Sequence, residues 1–216
     1  MRIAIYDLDR TLTRRPTFTP FLMFAARRLA PWRLVLAPVW ILAMLTYRAG
    51  LFSRTALKRF GLKLMLGRAS RQDLSPIGAQ FAAARINRDG LWPAIRSMVD
   101  ADRAAGARVL LATAAFEFYA AAFAKAMGID DVVATRWSGA DIPGGNCYGA
   151  VKKARVMEWC SGQGLDLAAA ETRFVTDSFA DAPLLDAVTE PVFITADKHA
   201  AAKARLRGWA VRDPSS

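Results

Sequence analysis

The chain has 216 residues, enough for one α/β core with a modest insertion. Hydrophobic residues make up 54% of it and charged residues 23%, a balance that excludes an intrinsically disordered chain. Its formal charge of +11 predicts an anionic partner, which narrows the choice to nucleic acid, a membrane surface or a phosphorylated substrate.

Cysteine and histidine usage narrows the chemistry further. Cys147 and Cys160 stand in no metal-binding or redox spacing, which predicts a reduced, cytosolic compartment. His199 is the only histidine and lies in a polar, helix-like tail, where we expect solvent exposure. A histidine-based triad and a zinc site are therefore not expected. Because an apolar strand begins at residue 2, no signal peptide is expected either.

The first twelve residues contain the strongest motif. An apolar run ends at Asp7, and Asp9 and Thr11 follow at alternate positions. Such a run predicts a buried strand of a parallel sheet, and chemistry in such sheets lies beyond the carboxyl ends of the strands. Two acids this close favour a divalent cation between them, and oxygen ligands favour Mg²⁺. The alternative, a strand end followed by an Asx turn, accounts for only one of the two acids.

A cationic, apolar region follows. Thirteen Lys or Arg residues and no Asp or Glu lie between Arg10 and Gln72. Helix starts are predicted at Thr19-Pro20 and at Ser53, and Ser70 with Asp73 predicts a capping box. We interpret this region as a set of helices inserted after the first strand.

Residues 34–47 form an uncharged run of 14 residues within that insertion. A membrane-spanning helix needs about 20 residues, and Pro38 interrupts this run. The run is therefore either buried core of the insertion or a helix lying in a membrane interface. Its cationic borders favour an anionic bilayer surface, with Trp40 and Tyr47 as interfacial anchors.

Beyond residue 100 the pattern alternates between strands and helices. Glycine-rich residues 138–149 predict a short hairpin. The parallel crossovers predict a doubly wound α/β sheet with helices on both faces. After the first strand, strands are predicted at 108–113, 132–135, 172–177 and 191–195, helices at 116–127 and 150–160, and a basic terminal helix before residues 209–211.

Polar residues stand at the ends of several predicted strands or at the starts of helices. They are Asp7-x-Asp9-x-Thr11, the strand-end Thr113, Gly149-x-x-Lys152 and Asp177-x-x-x-Asp181. Their order resembles that of the haloacid dehalogenase-like phosphatases with a helical cap inserted after the first motif. The resemblance covers nearly the whole chain and implies a Rossmann-like core at residues 1–13 and 101–216 with a cap at residues 14–100.

The resemblance implies an aspartyl-phosphate mechanism. Lys152 fits the family spacing better than its neighbour Lys153, which remains an alternative. For Asp177 and Asp181 the alternative is a helix N-terminus that favours acids. The resemblance implies that Asp7 is the nucleophile, that Asp9 is the general acid and base, and that Lys152 neutralises charge. It implies phosphate binding by Thr11, Thr113 and Ser178. Mg²⁺ would be bound by Asp7, by Asp177 and by the backbone carbonyl of Asp9, and Asp181 would support Lys152 or metal-bound water.

Two positions depart from the family pattern. Thr176 stands where glycine usually precedes the last motif, and Ala114-Ala115 follows Thr113 where glycine is common. These departures affect the expected shape of the phosphate cradle.

The substrate is predicted from the insertion. Its lack of acids disfavours phosphoserine, because an unpaired buried ammonium is costly. The chain looks more like capped members that act as phosphatidylglycerophosphate phosphatases, which implies a lipid phosphate substrate and a peripheral position on the inner face of the cell membrane. Alternatives are a soluble small-molecule phosphatase and a non-catalytic membrane or nucleic-acid binding protein. Long aliphatic runs between the cations argue against nucleic acid, and the oligomeric state is not predicted.

Overall fold

The computed structural model describes residues 1–215, and its centre is one six-stranded parallel sheet. The strand order is β3-β2-β1-β4-β5-β6, which confirms the predicted doubly wound α/β fold. β1 lies in the middle because the chain extends the sheet first on one side and then on the other. The strands are β1 (Arg2–Tyr6), β2 (Arg108–Phe116), β3 (Asp131–Thr135), β4 (Glu171–Thr176), β5 (Glu190–Ile194) and β6 (Ala210–Arg212).

Helices cover both faces of the sheet. The first four form an insertion between β1 and β2, and two short 3₁₀ helices span Pro31–Leu36 and Phe179–Asp181. The α-helices are α1 (Phe18–Leu29), α2 (Ala37–Arg48), α3 (Arg54–Leu66), α4 (Arg71–Asp89), α5 (Pro93–Ala104), α6 (Glu117–Ala126), α7 (Ala150–Gly162), α8 (Ala182–Leu185) and α9 (Lys198–Leu206).

The strands are apolar without alternation because both faces are buried. Ala4 and Tyr6 of β1 pack into one core, which also contains the insertion. Ile3 and Ile5 point to the opposite face and pack into a second core under α7, α8 and α9. This burial on both sides is the physical reason that a parallel strand reads as a continuous apolar run.

Local capping signals determine where several helices of the insertion begin. Ser53 accepts a hydrogen bond from the backbone of Ala56, and Ser70 forms a full capping box with Asp73, both as predicted. Helix α1 begins at Phe18, one residue before the start predicted at Thr19-Pro20. Pro38 lies in the first turn of α2. A backbone N–H at this position has no partner within the helix, so proline, which lacks that N–H, does not interrupt α2.

The two chain connections of the insertion lie side by side. Thr13 and Leu91 form an antiparallel bridge, and the backbone N–H of Trp92 donates to the carbonyl of Leu12. The predicted boundary between residues 100 and 101 falls inside α5, which packs on β2. We therefore propose that the cap ends at the turn before α5.

Close helix packing holds the cap on the core. Helix α4 of the cap packs along α6 of the core. A Cβ atom at Gly78 would lie 2.1 Å from the carbonyl oxygen of Phe118, so only glycine permits this approach.

Two local predictions beyond residue 100 need correction. Residues 138–149 contain no strand; the Arg155 guanidinium donates to backbone carbonyls of this loop and so holds it as irregular structure. The strand predicted to end at Thr113 continues to Phe116 with irregular pairing to β3.

The prediction of interfacial anchors at Trp40 and Tyr47 is wrong for the first and unsupported for the second. Trp40 is only 1% exposed and packs edge-on against Phe18, because α2 turns this side toward the cap core. Tyr47 is half-buried and lines a cavity. Among residues 1–215, no helix has the length and apolar character needed to cross a membrane.

Candidate active site

The sheet topology brings the predicted motifs to one edge. Asp7 follows β1, and its backbone N–H donates to Val175 of the neighbouring β4 at 2.9 Å. Thr113 lies in β2 and Asp177 follows β4, the strands on either side of β1. Strand order reverses at this point, where a crevice forms in open α/β sheets. A cavity of about 280 Å³ lies here and is lined by Asp7, Asp9, Thr113, Lys152, Asp177, Ser178 and Asp181, together with cap residues.

Lys152, and not Lys153, enters this cavity. The Lys152 side chain is 1% exposed, and its Nζ lies 3.0 Å from Asp7 Oδ1 and 2.5 Å from Asp181 Oδ2. Gly149 begins the preceding turn with a φ of 58°, and a Cβ there would lie 3.1 Å from the carbonyl of Ala180. Glycine thus lets the first turn of α7 approach the loop after β4.

Asp181 holds Lys152 in place. Besides the lysine, its carboxylate accepts the Thr176 hydroxyl at 3.0 Å and the Gly149 N–H at 3.3 Å. Thr176 also accepts the backbone N–H of Ser178 at 3.2 Å. Thr176, which stands where the family usually has glycine, therefore stabilises the loop after β4 through these hydrogen bonds.

Asp9 is oriented by the cap. Its Oδ1 accepts both the backbone N–H of Thr17 at 2.9 Å and the Thr17 hydroxyl at 2.7 Å. The Tyr119 hydroxyl lies 3.3 Å from the same threonine oxygen. Within the described residues Oδ2 makes no hydrogen bond, so one oxygen of Asp9 is held while the other is free to exchange a proton with a bound molecule.

Burial raises the pKa values of the acids in this cluster. Burial, together with the charges of Asp181 and Asp9, raises the pKa of Asp7 to about 6 against the opposing effect of Lys152. Burial and the charge of Asp7 raise the pKa of Asp177 to about 7. For Lys152, burial is outweighed by Asp7 and Asp181, whose charges raise its pKa above the usual value. Lys152 pairs with Asp7 and Asp181, whereas Asp177 has no ion-pair partner in the described chain, so the carboxylates outnumber their direct cationic partners.

This excess of carboxylate oxygens fits a divalent cation. Asp7 and Asp177 follow neighbouring strands, and the charge of Asp7 raises the pKa of Asp177. Within the described part of the chain, no three acidic, cysteine or histidine side chains converge on one metal position. A Mg²⁺ ion would depend on these two carboxylates with backbone oxygens and water, a donor set that Mg²⁺ accepts.

Of the three hydroxyl side chains predicted to bind phosphate, two line the cavity and one does not. Thr113 is fully buried at the cavity wall and accepts the Ala115 N–H at 3.1 Å, which leaves its own hydrogen for a ligand. Ser178 also lines the cavity. Thr11 does not; its hydroxyl accepts the N–H of Asp177 at 3.0 Å, so Thr11 orients the Asp177 loop instead of facing a ligand.

Sequence reasoning missed three residues of the site. Thr17 is separated from Asp9 along the sequence, so no short motif indicates their contact. A hydroxyl residue beside a predicted helix start could have indicated it. Arg54 and Lys58 were counted only among the thirteen cap cations, yet both line the cavity. Their spacing of four residues on a helix was the signal that they share one face.

The fold and this acid-lysine edge define a class of α/β hydrolases, and a family model identifies it. The model for haloacid dehalogenase-like hydrolases matches residues 4–186, so the chain belongs to that family. Its site has the side chains of a phosphoric monoester hydrolase.

Individual proteins are similar over most of their length. A histidinol-phosphatase of Neisseria meningitidis is 29% identical over 173 residues, 76% of this chain and 77% of its own. The phosphoserine phosphatase SerB1 of Mycobacterium tuberculosis is 28% identical over 219 residues, 97% and 70% of the two chains. A Bordetella pertussis protein of unknown function has a solved structure with a TM-score of 0.85 and 29% identity, covering 99% and 98%.

Proposed function

We propose that this chain is a Mg²⁺-dependent phosphatase that hydrolyses a phosphate monoester of a small molecule through a phospho-aspartate at Asp7. One observation supports this most strongly: the buried ion pair between Asp7 Oδ1 and Lys152 Nζ, 3.0 Å apart, at the edge of a cavity that Thr113 and Asp9 also line. An ionised carboxylate at a strand end, held by a lysine, is the arrangement of a nucleophile for phosphorus.

Each residue of the site has its own role in the proposed reaction. Lys152 holds Asp7 Oδ1, while Asp7 Oδ2 makes no hydrogen bond within the described residues and is free to attack. Thr113 donates its hydroxyl to a phosphoryl oxygen. Asp181 keeps the ammonium of Lys152 in place. A bound Mg²⁺ supplies charge neutralisation for the phosphoryl group and the acids.

Hydrolysis requires two displacements at phosphorus. In the first, Asp7 Oδ2 forms a bond to phosphorus, the bond from phosphorus to the ester oxygen breaks, and Asp9 gives its proton to the departing oxygen. In the second, water attacks the phospho-aspartate, Asp9 takes a proton from that water, and inorganic phosphate leaves Asp7. The raised pKa of Asp9, caused by burial and opposed by Thr17, favours its protonated form at the start of the cycle.

A small substrate is supported by the cavity and by the relatives. The cavity of about 280 Å³ is at the low end for ligand sites. Both curated relatives described above are named for phosphate monoesters of small molecules. We therefore favour this reading over lipid hydrolysis.

The test is phosphate release with Mg²⁺ from a panel of alkyl and aryl monophosphates, with a bis-aryl phosphate diester as the negative control. We expect turnover of monoesters and none of the diester. Asp9→Asn should give a burst of nitrophenolate from 4-nitrophenyl phosphate, about one per enzyme, and then stall, because breakdown of the phospho-enzyme needs a base. Absence of phosphate release from every monoester would reject the proposal.

A second candidate, hydrolysis of a lipid phosphate at a membrane surface, is favoured by one observation. Most of the exposed large apolar side chains on the described chain lie between residues 29 and 52 of the cap, and the outward face of α2 contributes four of them. Exposed apolar surface beside cations is a pattern of proteins that bind anionic bilayers. The exposed residues are Leu29, Trp32, Val35, Val39, Ile41, Leu42, Leu45, Leu51 and Phe52.

Sedimentation with vesicles tests the second candidate. Wild-type protein should pellet with phosphatidylglycerol vesicles and remain in the supernatant with neutral ones. Leu42→Glu should weaken that binding and slow hydrolysis of a vesicle-borne phosphate ester, while turnover of a water-soluble ester stays unchanged. Leu206→Glu, at a residue 89% exposed on α9, is the matched control outside the cap. Wild-type protein that stays in the supernatant at low salt rejects the lipid candidate.

A further inference from the structure

Apart from the acids and their immediate partners, the cavity lining is mainly cationic and aromatic, and we call this part the wall. It contains Arg54 and Lys58 of α3 together with Arg10, Phe18, Tyr47 and Tyr148. The only acids among the described lining residues are the four aspartates of the catalytic edge. We propose that Arg54 and Lys58 bind an anionic group on the leaving group of the substrate, and that this leaving group has no free ammonium. This inference rests on the proposed phosphatase function.

Arg54 is held ready for an anion. Its Nε donates to the Tyr47 hydroxyl at 3.3 Å, and its guanidinium carbon lies 3.8 Å from the ring centroid of Tyr148. It forms no ion pair with any carboxylate of the described chain. The two tyrosines fix the plane of the guanidinium and leave its terminal nitrogens available, which is the arrangement for binding a carboxylate or phosphate with two hydrogen bonds.

The position of Arg54 on its helix makes an anion still more favourable. Arg54 is the first residue of α3, and the first turn of that helix contains no acid. A cation at a helix N-terminus is opposed by the helix dipole. A ligand anion bound by Arg54 would offset that repulsion.

Lys58 lies one turn further along the same helix. Its side chain is buried, and Nζ donates to the carbonyl of Ala114 at 2.5 Å and to Asn146 Oδ1 at 2.9 Å. These acceptors are neutral, so the ammonium charge is buried without a direct carboxylate partner. A third N–H of Nζ remains for a molecule in the cavity. Lys58 thereby joins the cap to the backbone beside Thr113 and adds positive charge to the wall.

The same wall disfavours the substrates that name the relatives. Phosphoserine and histidinol phosphate both contain an ammonium group. In this cavity that group would meet Arg54 and Lys58, with no acid on the wall to pair with it. Burying an unpaired charge beside like charges is costly. We therefore expect discrimination against amino-containing esters.

The experiment compares three aryl phosphates of nearly equal size: phenyl phosphate, 4-carboxyphenyl phosphate and 4-(aminomethyl)phenyl phosphate. For wild-type protein, kcat/KM should be about tenfold or more higher for the carboxylate than for the neutral ester, the effect of one charge-assisted hydrogen bond, and lowest for the amine. Arg54→Gln should remove most of the carboxylate preference, and Arg54→Glu should invert the order. A lipid phosphate ester in vesicles is assayed alongside: turnover faster than that of 4-carboxyphenyl phosphate assigns the anion to a lipid headgroup, and slower turnover assigns it to a small free ester.

Arg59→Gln is the matched control. Arg59 lies on the same helix but is exposed, pairs with Asp141 at 3.2 Å and does not line the cavity. It should leave the order of the three esters unchanged. Equal kcat/KM for the three esters in wild-type protein would overturn this inference while the phosphatase proposal stands. No release from any ester would overturn both.

Discussion

Thr17 donates two hydrogen bonds to a single oxygen of Asp9, one from its backbone N–H and one from its hydroxyl, at 2.9 and 2.7 Å. Thr17 immediately precedes the first helix of the cap, and Asp9 lies just beyond the first strand of the core. The cap therefore positions the proposed proton donor directly. The orientation of Asp9 therefore depends on the position of the cap relative to the core.

Thr17→Val should lower kcat about tenfold with little change in KM, because the loss of one hydrogen bond to Asp9 affects proton transfer more than substrate binding. Thr19→Val is the control, since the Thr19 hydroxyl hydrogen-bonds to the sulfur of Met44 and Thr19 does not line the cavity. Steady-state kinetics on an alkyl phosphate measure both variants. Equal kcat for Thr17→Val and Thr19→Val would show that Asp9 does not depend on the cap.

Gly78→Ala should destabilise the protein by about 1–3 kcal/mol, the usual cost of overpacking, because the new Cβ would overlap the Phe118 carbonyl 2.1 Å away. Gly162→Ala is the matched control on another helix. No atom lies within 4 Å of a Cβ at Gly162, so its free energy of unfolding should be unchanged or raised by up to about 1 kcal/mol. Denaturant unfolding compares the two, and equal stabilities would contradict the close contact between α4 and α6.

Lys58 should make stability depend on pH in the alkaline range. Burial lowers the pKa of Lys58 from 10.5 to about 8; nearby Asp9 and Asp7 oppose this effect, and Arg54 adds to it. Between about pH 8 and pH 10.5 the unfolded chain binds a proton that the folded chain has released. The free energy of unfolding should therefore rise with pH in that window, and the penalty for the charged lysine is fully present below it.

Lys58→Met removes this titration, so the stability difference between wild type and variant should change between pH 8 and 10.5. Chemical denaturation at several pH values measures the difference. A constant difference across the window would show that Lys58 titrates normally.

Removal of metal should abolish phosphate release, and Mg²⁺ but not Ca²⁺ should restore it, because Ca²⁺ takes a looser coordination at longer distances. A second readout is independent of turnover: Mg²⁺ should raise the melting temperature of wild-type protein by relieving repulsion between Asp7 and Asp177. Asp177→Asn should raise the metal-free melting temperature and lose the response to Mg²⁺. Full phosphate release in excess chelator would contradict the metal prediction.

The parallel sheet, and the position of Asp7 and Asp177 at the ends of its neighbouring strands, were predictable because each depends on a local pattern. Apolar strands that are buried on both faces, followed by Asp7 or Asp177, specify the edge without knowledge of the tertiary fold. The preference for Lys152 over Lys153 came from the family resemblance and not from a local pattern, and the structure places Lys152 in contact with Asp7.

The errors concern features determined by packing. The exposure of Trp40 depends on how α2 is rotated against Phe18, which no spacing within the helix specifies. The loop at residues 138–149 was misread as a hairpin because its shape depends on hydrogen bonds from Arg155 on a later helix. The contact of Thr17 with Asp9 likewise forms only when the cap docks.

The identity of Asp7 as nucleophile is the central claim, and trapping of the covalent intermediate tests it most directly. Wild-type protein and Asp7→Asn are mixed with an aryl phosphate and Mg²⁺, quenched in acid, digested and analysed by mass spectrometry. We expect one phosphoryl group on the wild-type peptide that contains Asp7, none in the variant, and phosphate release by the variant below about a hundredth of wild type. A phosphoryl group on another residue, or an Asp7→Asn variant that retains turnover, would contradict the account.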